Sequence, residues 1–389
     1  MIEGFKVSSL VSSFEESATL ALAAKAKKLL SEGKPIINFG VGEPDFVTDQ
    51  RLIDRGALAA SKGATKYTPV SGNPSLRKAI AERISSDYGV SYSAEQVIVS
   101  AGGKQAIYHF LQSVLEPGDE VIIFSPYWVS FPEMVKLVGG KPVILKSSAD
   151  PVGALTKAIT SKTKALILNS PSNPSGQMWK KAELEGFLKA IESRPIWLMS
   201  DDTYYTLTYQ DEPWVSPLFL RPDFRDRTCV IGSSSKTYAM TGWRLGWALG
   251  PETLIQAMTK LQSQVTSSAC SLAQAAVELA VGELHQEISS QLREKFRKRR
   301  DRMIAGLSKI KGLKWLEPAG AFYIFVDFSG AVPQGMTVTQ FANELLEKVH
   351  ICAIPGEAFG EPSFLRFSYA LSEAEIDEGL GRLERTLKG

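Results

Sequence analysis

The sequence predicts an α/β protein: a large domain with a mostly parallel central sheet covered by helices, and beside it a smaller α+β domain. Three observations point there. Short β-branched runs alternate with helical patterns over most of the chain. The runs Val121–Phe124, Ala165–Leu168 and Ile196–Met199 are apolar throughout, as strands covered on both faces are. At 389 residues the chain exceeds the roughly 250–300 at which one core stops growing.

In chain order, an amphipathic helix is expected at Ala18–Ser31, then a short extended run Pro35–Phe39 and helices at Gln50–Ser61 and Pro74–Tyr88. Strands follow at Gln96–Ser100, Glu120–Phe124, Pro142–Lys146, Lys164–Asn169, Ile196–Ser200, Thr228–Gly232 and Leu245–Gly250. About sixty residues from Pro251 to Lys311 read as helical and lead out of the sheet. Beyond them Ala321–Phe328, Ile351–Ile354 and Phe364–Tyr369 read as strands, Thr337–Val349 and Ser372–Leu387 as helices. The expected division is an N-terminal segment 1–45 that joins the small domain, a large domain 46–285 and a small domain 286–389.

Composition excludes several classes. Forty-four Lys and Arg against forty-two Asp and Glu leave a formal charge of +2, so nucleic acid is not the expected partner. The one basic stretch, Arg297–Arg300, reads as the solvated face of a long helix. Three scattered cysteines, Cys229, Cys270 and Cys352, suggest buried thiols in a reducing compartment. Three histidines without ligand spacing leave no zinc site to expect. No apolar run is long enough for a membrane span and no signal peptide is seen, so a cytoplasmic protein is expected.

The chemistry lies in polar segments that follow buried strands, where open α/β sheets bind ligands. In Gly232–Gly246, Ser233, Ser235 and Arg244 make a phosphate clamp, and Lys236 beside it is an amine able to attack a carbonyl if its pocket is dry. Asn173, in Asn169-Ser170-Pro171-Ser172-Asn173-Pro174, can present a rigid amide, though the same residues suit a plain turn. Asp201 ends a strand, with Tyr204 three residues on; it can hold a cationic ring nitrogen or cap a helix. Gly102-Gly103-Lys104 opens a helix and exposes N–H groups to an anion; it is not a Walker loop. Trp128 can cover a flat ring or fill a core. Gly40-Val41-Gly42-Glu43-Pro44-Asp45 lacks the third glycine of a dinucleotide fingerprint. Ser233–Lys236 formally satisfies the Ser-x-x-Lys of serine acylases, but no Lys-Thr-Gly follows.

In this order and at these separations the segments resemble the fold-type I pyridoxal-phosphate aminotransferases, and within them the bacterial aspartate aminotransferase branch. The resemblance runs from Ser17 to the C-terminus. It adds Lys66-Tyr67-Thr68-Pro69, Ser125-Pro126-Tyr127-Trp128 and Arg366-Phe367-Ser368-Tyr369 to the segments above. It implies pyridoxal 5'-phosphate as cofactor, Lys236 as the Schiff-base lysine and proton carrier, and Asp201 on the pyridine nitrogen. Asn173 and Tyr204 would meet the ring's phenolic oxygen, and Trp128 would stack on the ring. Gly103, Lys104, Ser233, Ser235 and Arg244 would hold the phosphate, with Tyr67 reaching in from the partner of a homodimer. Arg366, helped by the Gly40 backbone, would grip the substrate α-carboxylate, and Lys104 the distal carboxylate. Ser17 and Thr19 would belong to an N-terminal segment that closes over the site. The implied reaction exchanges an amino group between aspartate and 2-oxoglutarate by a ping-pong cycle, with a prephenate or broader aspartate/aromatic range as the alternative. Two departures stand out: Asp201-Asp202 where Asp-Glu is commoner, and Ser233-Ser234 where relatives carry Gly and Ala.

Overall fold

The computed structural model describes Ser8, Ser9 and residues 18–146, 149–209 and 213–388. Its centre is a seven-stranded sheet built from β2 (Val97–Ser100), β3 (Glu120–Ser125), β4 (Lys141–Lys146), β5 (Thr163–Asn169), β6 (Trp197–Asp201), β7 (Thr228–Ser233) and β8 (Gly246–Leu249). The spatial order is β2-β8-β7-β6-β5-β3-β4. Pairs β4–β3, β3–β5, β5–β6 and β6–β7 are parallel, while β8 runs antiparallel to β7 and to β2. A short two-stranded pair joins chain segments on either side of it in sequence: β1 (Ile37–Asn38) lies parallel to β11 (Ile351–Cys352).

The apolar runs are buried on both sides because alternate residues enter different cores. Ile122, Phe124, Leu166 and Leu168 join one cluster. Val121, Ile123, Ala165 and Ile167 join a second, closed by Phe110 and Leu111 of helix Gly103–Val114 and by Leu254 and Met258 of helix Glu252–Val265. Edge strand β4 carries exposed Lys141 and Lys146, charges that discourage pairing with another chain.

The second sheet, β12-β13-β10-β9, is antiparallel and built from β9 (Lys314–Trp315), β10 (Tyr323–Asp327), β12 (Ile354–Pro355) and β13 (Phe364–Ser368). The run read as one strand at Ile351–Ile354 is therefore two short strands in different sheets, parted at Ala353. The sixty helical residues are three helices, Glu252–Val265, Ser271–Val281 and His285–Leu307. Helix Val338–Glu344 ends in a π-helical turn, Leu345–Val349.

Two further expectations need correction. Arg299 and Arg300 are not on a solvated face: both are buried, Arg299 in a two-pronged pair with Asp45 and Arg300 over the Tyr209 ring. Cys229 and Cys352 are buried, but Cys270 is exposed, since it sits at the N-cap of helix Ser271–Val281, outside the helix itself. Among the described residues no helix is long and apolar enough to cross a membrane.

Candidate active site

The site lies where parallel strands end. Register places Asn169 beside Asp201, Asp201 beside Ile231, and Ser233 beside Gly246, so residues distant in sequence reach one edge of the sheet. Above that edge is a cleft of about 650 Å3. Gly40, Gly103, Lys104, Trp128, Asn173 and Asp201 line it. So do Tyr204, Ser233, Ser235, Lys236, Arg244 and Arg366, the last brought from β13 of the second sheet. Tyr67 stands away from the cleft and is 91% exposed. Ser17 lies outside the described residues; Thr19 is in helix Ala18–Ser31, its side chain likewise outside them.

One wall suits an anion. Helix Gly103–Val114 starts at the cleft, and N–H groups in a first helical turn have no intrahelical acceptor. Across from it the backbone of β8 presses close: a Cβ on Gly246 would sit 2.2 Å from the Gly103 nitrogen, and one on Gly102 would sit 2.8 Å from an Arg244 Nη. Arg244 itself is left-handed, φ +52°, and is anchored by donating to the Thr241 carbonyl at 2.9 Å. Ser233 caps the short helix Ser234–Thr237 by accepting from the Ser235 N–H at 3.1 Å. Ser234 is fully buried and donates to the Leu245 carbonyl at 2.9 Å, a carbonyl that Ser233 also meets at 3.4 Å; of the two, only Ser233 lines the cleft.

Lys236 follows on that helix. Its Nζ donates to the Gly42 carbonyl at 2.5 Å. Burial pushes its ammonium down to about 8, while nearby Glu43 opposes the shift and Arg366 and Arg244 add to it. Such an amine has an accessible neutral form near neutrality, as a nucleophile or proton carrier requires.

Asp201 ends β6 and is buried. One carboxylate oxygen accepts from the Thr203 hydroxyl at 2.7 Å and from the Thr203 N–H at 3.2 Å, yet burial still raises its pKa to about 6. A buried carboxylate without a cation partner is a ready seat for a protonated ring nitrogen. Next to it Asp202 accepts from Ser200 at 2.7 Å and from the Tyr88 hydroxyl at 2.8 Å. The Asn169 amide donates to the Asp201 carbonyl and its oxygen accepts from the Asn173 N–H, both at 3.0 Å, which ties the two loops together.

Arg366 is buried over the rings of Tyr323 and Phe359, at 4.6 and 5.1 Å. Its Nη2 donates to the Gly40 carbonyl and its Nη1 to Asn173 Oδ1, but Nε is buried with no partner among the described residues. That orphan donor calls for an external acceptor such as a carboxylate. Lys104 lies with its Nζ 4.8 Å from the centre of the Trp128 ring.

Sequence reasoning missed Tyr323, Glu43 and Thr241. Tyr323 sits in an apolar run that reads as core, yet its hydroxyl is 3.0 Å from that of Tyr204. Glu43 accepts from Thr241 at 2.7 Å beside Lys236. A second cavity of about 350 Å3 backs onto Asn169, but its polar lining is already satisfied: Glu361 accepts from Ser125, and Ser175 from the Gln177 N–H. Most of the residues singled out from the sequence gather in the larger cleft.

An anion cradle, a lysine near neutrality, a buried aspartate and an orphan guanidinium edge fit a phosphate-bearing pyridine aldehyde, so the residues present suit pyridoxal 5'-phosphate. Comparison with known proteins agrees. The family model "Aminotransferase class I and II" matches residues 34–383. The chain is 40% identical to an aspartate aminotransferase of Rhizobium meliloti, over 98% of this chain and 96% of that one. It is 41% identical to an aspartate/prephenate aminotransferase of Cereibacter sphaeroides, over 96% of each. The solved structure of Thermus thermophilus aspartate aminotransferase with maleate superposes with a TM-score of 0.94 at 37% identity, covering 99% of this chain and 100% of that one. The chain belongs to the class I and II aminotransferases.

Proposed function

We propose that the protein is an aspartate aminotransferase, converting L-aspartate and 2-oxoglutarate to oxaloacetate and L-glutamate. The observation that carries this is that Arg366, whose buried Nε has no partner among the described residues, lines the same cleft as Lys104. The two cations suit the two carboxylates that all four compounds share. Relatives named as aspartate aminotransferases support the reading.

When bound, pyridoxal phosphate supplies a carbonyl carbon to take up the amino group and a ring that draws electrons from the substrate Cα. The protein does the rest. Ser233, Ser235, Arg244 and the N–H groups of Gly103 and Lys104 would hold the phosphate. The Asp201 carboxylate would hold the proton on the ring nitrogen, and Asn173 and Tyr204 would donate to the phenolic oxygen. Trp128 would cover the ring and exclude water. Arg366 orients the α-carboxylate, so that Lys236 Nζ can take the Cα proton and return it nearby. Lys104 meets the distal carboxylate. One site serves both half-reactions and must therefore accept each substrate with and without its amino group.

We read the chain as divided near residues 45 and 285, and as working as a homodimer. Tyr67 and Val47, 91% and 83% exposed, offer themselves to a partner. The free thiols Cys229, Cys270 and Cys352 suit the cytoplasm. Prephenate is the second reading, since relatives at 41% identity carry aspartate/prephenate names.

The test is to load the purified protein with pyridoxal phosphate and follow oxaloacetate formed from aspartate and 2-oxoglutarate, with prephenate as competing acceptor. Turnover that Lys236→Ala abolishes by about 10⁴-fold or more is expected. Equal activity in that variant, or turnover with prephenate but none with 2-oxoglutarate, would overturn the assignment.

A further inference from the structure

We propose that Tyr323 is a positioning residue for the proton of Tyr204: its hydroxyl donates to the Tyr204 oxygen, so that the Tyr204 hydroxyl donates into the cleft, toward the phenolic oxygen of the cofactor. The proposal rests on the aminotransferase reading above.

It begins from a count of protons. The two hydroxyl oxygens are 3.0 Å apart, and neither has another hydrogen-bond partner among the described residues. Two hydroxyls carry two protons, and their mutual bond uses one. The other must point away from the pair, and both residues line the cleft. Two arrangements exist: Tyr323 donates to Tyr204 and Tyr204 to the cleft, or the reverse. Only the first gives Tyr204 a proton to donate to a ligand oxygen.

The surroundings choose between them. Tyr323 opens β10 and lies beneath the Arg366 guanidinium, 4.6 Å from its ring; that positive charge favours ionisation of both hydroxyls, but among the described residues it is stacked on the Tyr323 ring and not on that of Tyr204, which makes the Tyr323 hydroxyl the more acidic of the two. Tyr204 comes from the turn after β6, where the Asp201 carboxylate works against its ionisation. Both groups are held above the ordinary tyrosine range first of all by burial, Tyr204 the further. The more acidic hydroxyl of a pair is the better donor, so Tyr323 donates. The remaining charged groups that face the pair are Glu43, toward Tyr323, and Lys236 in the same cleft. A donor whose own oxygen accepts a bond is polarised and donates more strongly. Tyr323 therefore both aims the Tyr204 proton and strengthens its bond to the phenolic oxygen. It does so from the second sheet, across to the first.

The experiment titrates the visible absorbance of the pyridoxal-phosphate-loaded protein against pH in wild type, Tyr204→Phe, Tyr323→Phe and the double variant. Phe keeps both rings, including the contact with Arg366. A bond to the ionised phenolic oxygen lowers the midpoint of that titration, so Tyr204→Phe should raise it. Tyr323→Phe should raise it too, by the smaller amount that polarisation supplies, roughly two- to three-fold in proton affinity. The double variant should match Tyr204→Phe alone. A midpoint that Tyr323→Phe leaves unmoved, or lowers because Tyr204 has lost a competing acceptor, would overturn the proposal and leave the aminotransferase reading standing. A wild-type protein with no visible band, or a band that Tyr204→Phe does not move, would overturn the reading of the site and the proposal with it.

Discussion

Arg366 of β13 donates to Asn173, in the loop after β5, at 3.1 Å, a bond that joins the second sheet to the first. With its other hand Arg366 holds the Gly40 carbonyl at 2.9 Å, so the guanidinium is fixed from two sides before any ligand arrives. A planar fork fixed in this way binds a carboxylate with little further loss of freedom. Arg366→Lys keeps the charge and loses the fork, and kcat/KM for aspartate should fall about 100-fold or more. Asn173→Ala should cost less alone. In the double variant the two losses should fall short of their sum by roughly 0.5–3 kcal/mol, as residues in contact show. Strictly additive losses would mean that the bond does not hold Arg366 for its task.

The close approach of β8 to Gly102 and Gly103 gives a paired test. A methyl group on Gly246 would lie 2.2 Å from the Gly103 nitrogen and 2.6 Å from the Gly102 carbonyl carbon, whereas one on Gly242 would meet nothing within 4 Å. Both contacts at Gly246 are backbone, which cannot swing aside. Gly246→Ala should destabilise the fold by about 2 kcal/mol or more and weaken cofactor binding with it. Gly242→Ala should stay within about 0.5 kcal/mol of wild type. Thermal melts and pyridoxal-phosphate titrations check both, and like behaviour in the two variants would sink the argument.

These residues show what the sequence makes legible. The sheet could be read because β3, β5 and β6 are apolar without interruption, and the site because these strands and β7 end in polar residues: Ser125, Asn169, Asp201 and Ser233. Register then does what spacing cannot, setting Asn169 beside Asp201. Tyr323 escaped because a tyrosine between Phe322 and Ile324 in a strand looks like core, and its ring is indeed buried; only its hydroxyl, against that of Tyr204, sets it apart from its neighbours. Arg299 escaped because its partner Asp45 is 254 residues away. The pairing of β1 with β11 and the reversed direction of β8 are likewise long-range facts, with no local signature.

The adjacent carboxyls of Asp201 and Asp202 bear on stability. Burial raises them to about 6 and about 7 from an ordinary 3.8. Between those values the folded, cofactor-free protein keeps protons that the unfolded chain has released, so its stability falls as pH rises from about 4 to 7. Asp202→Asn keeps Ser200 and Tyr88 within hydrogen-bond reach and removes the titration. At pH 8 the cofactor-free variant should be the more stable by roughly 4 kcal/mol, at about 1.4 kcal/mol per pKa unit. Near pH 4 the advantage should vanish. Urea denaturation at the two pH values measures it, and an advantage that does not change with pH would refute the account.

In the proposed function, preference for dicarboxylic substrates turns on Lys104. Its ammonium lies over the Trp128 ring at 4.8 Å, and burial, with Arg244 adding to it, brings its pKa below the ordinary lysine value. A cation held partly out of water attracts a carboxylate strongly, but it also sheds its proton earlier as pH rises. Lys104→Ala should raise the KM for aspartate roughly 30-fold or more, the effect of removing one partner of a desolvated charge pair. The KM for alanine, which has no distal carboxylate, should change far less. The wild-type aspartate KM should climb on the alkaline side while that for alanine stays flat. In Lys104→Arg the selective climb should disappear, because a guanidinium does not titrate there. Should both substrates share one alkaline profile in wild type and in Lys104→Arg, the distal carboxylate would have to be bound elsewhere in the cleft.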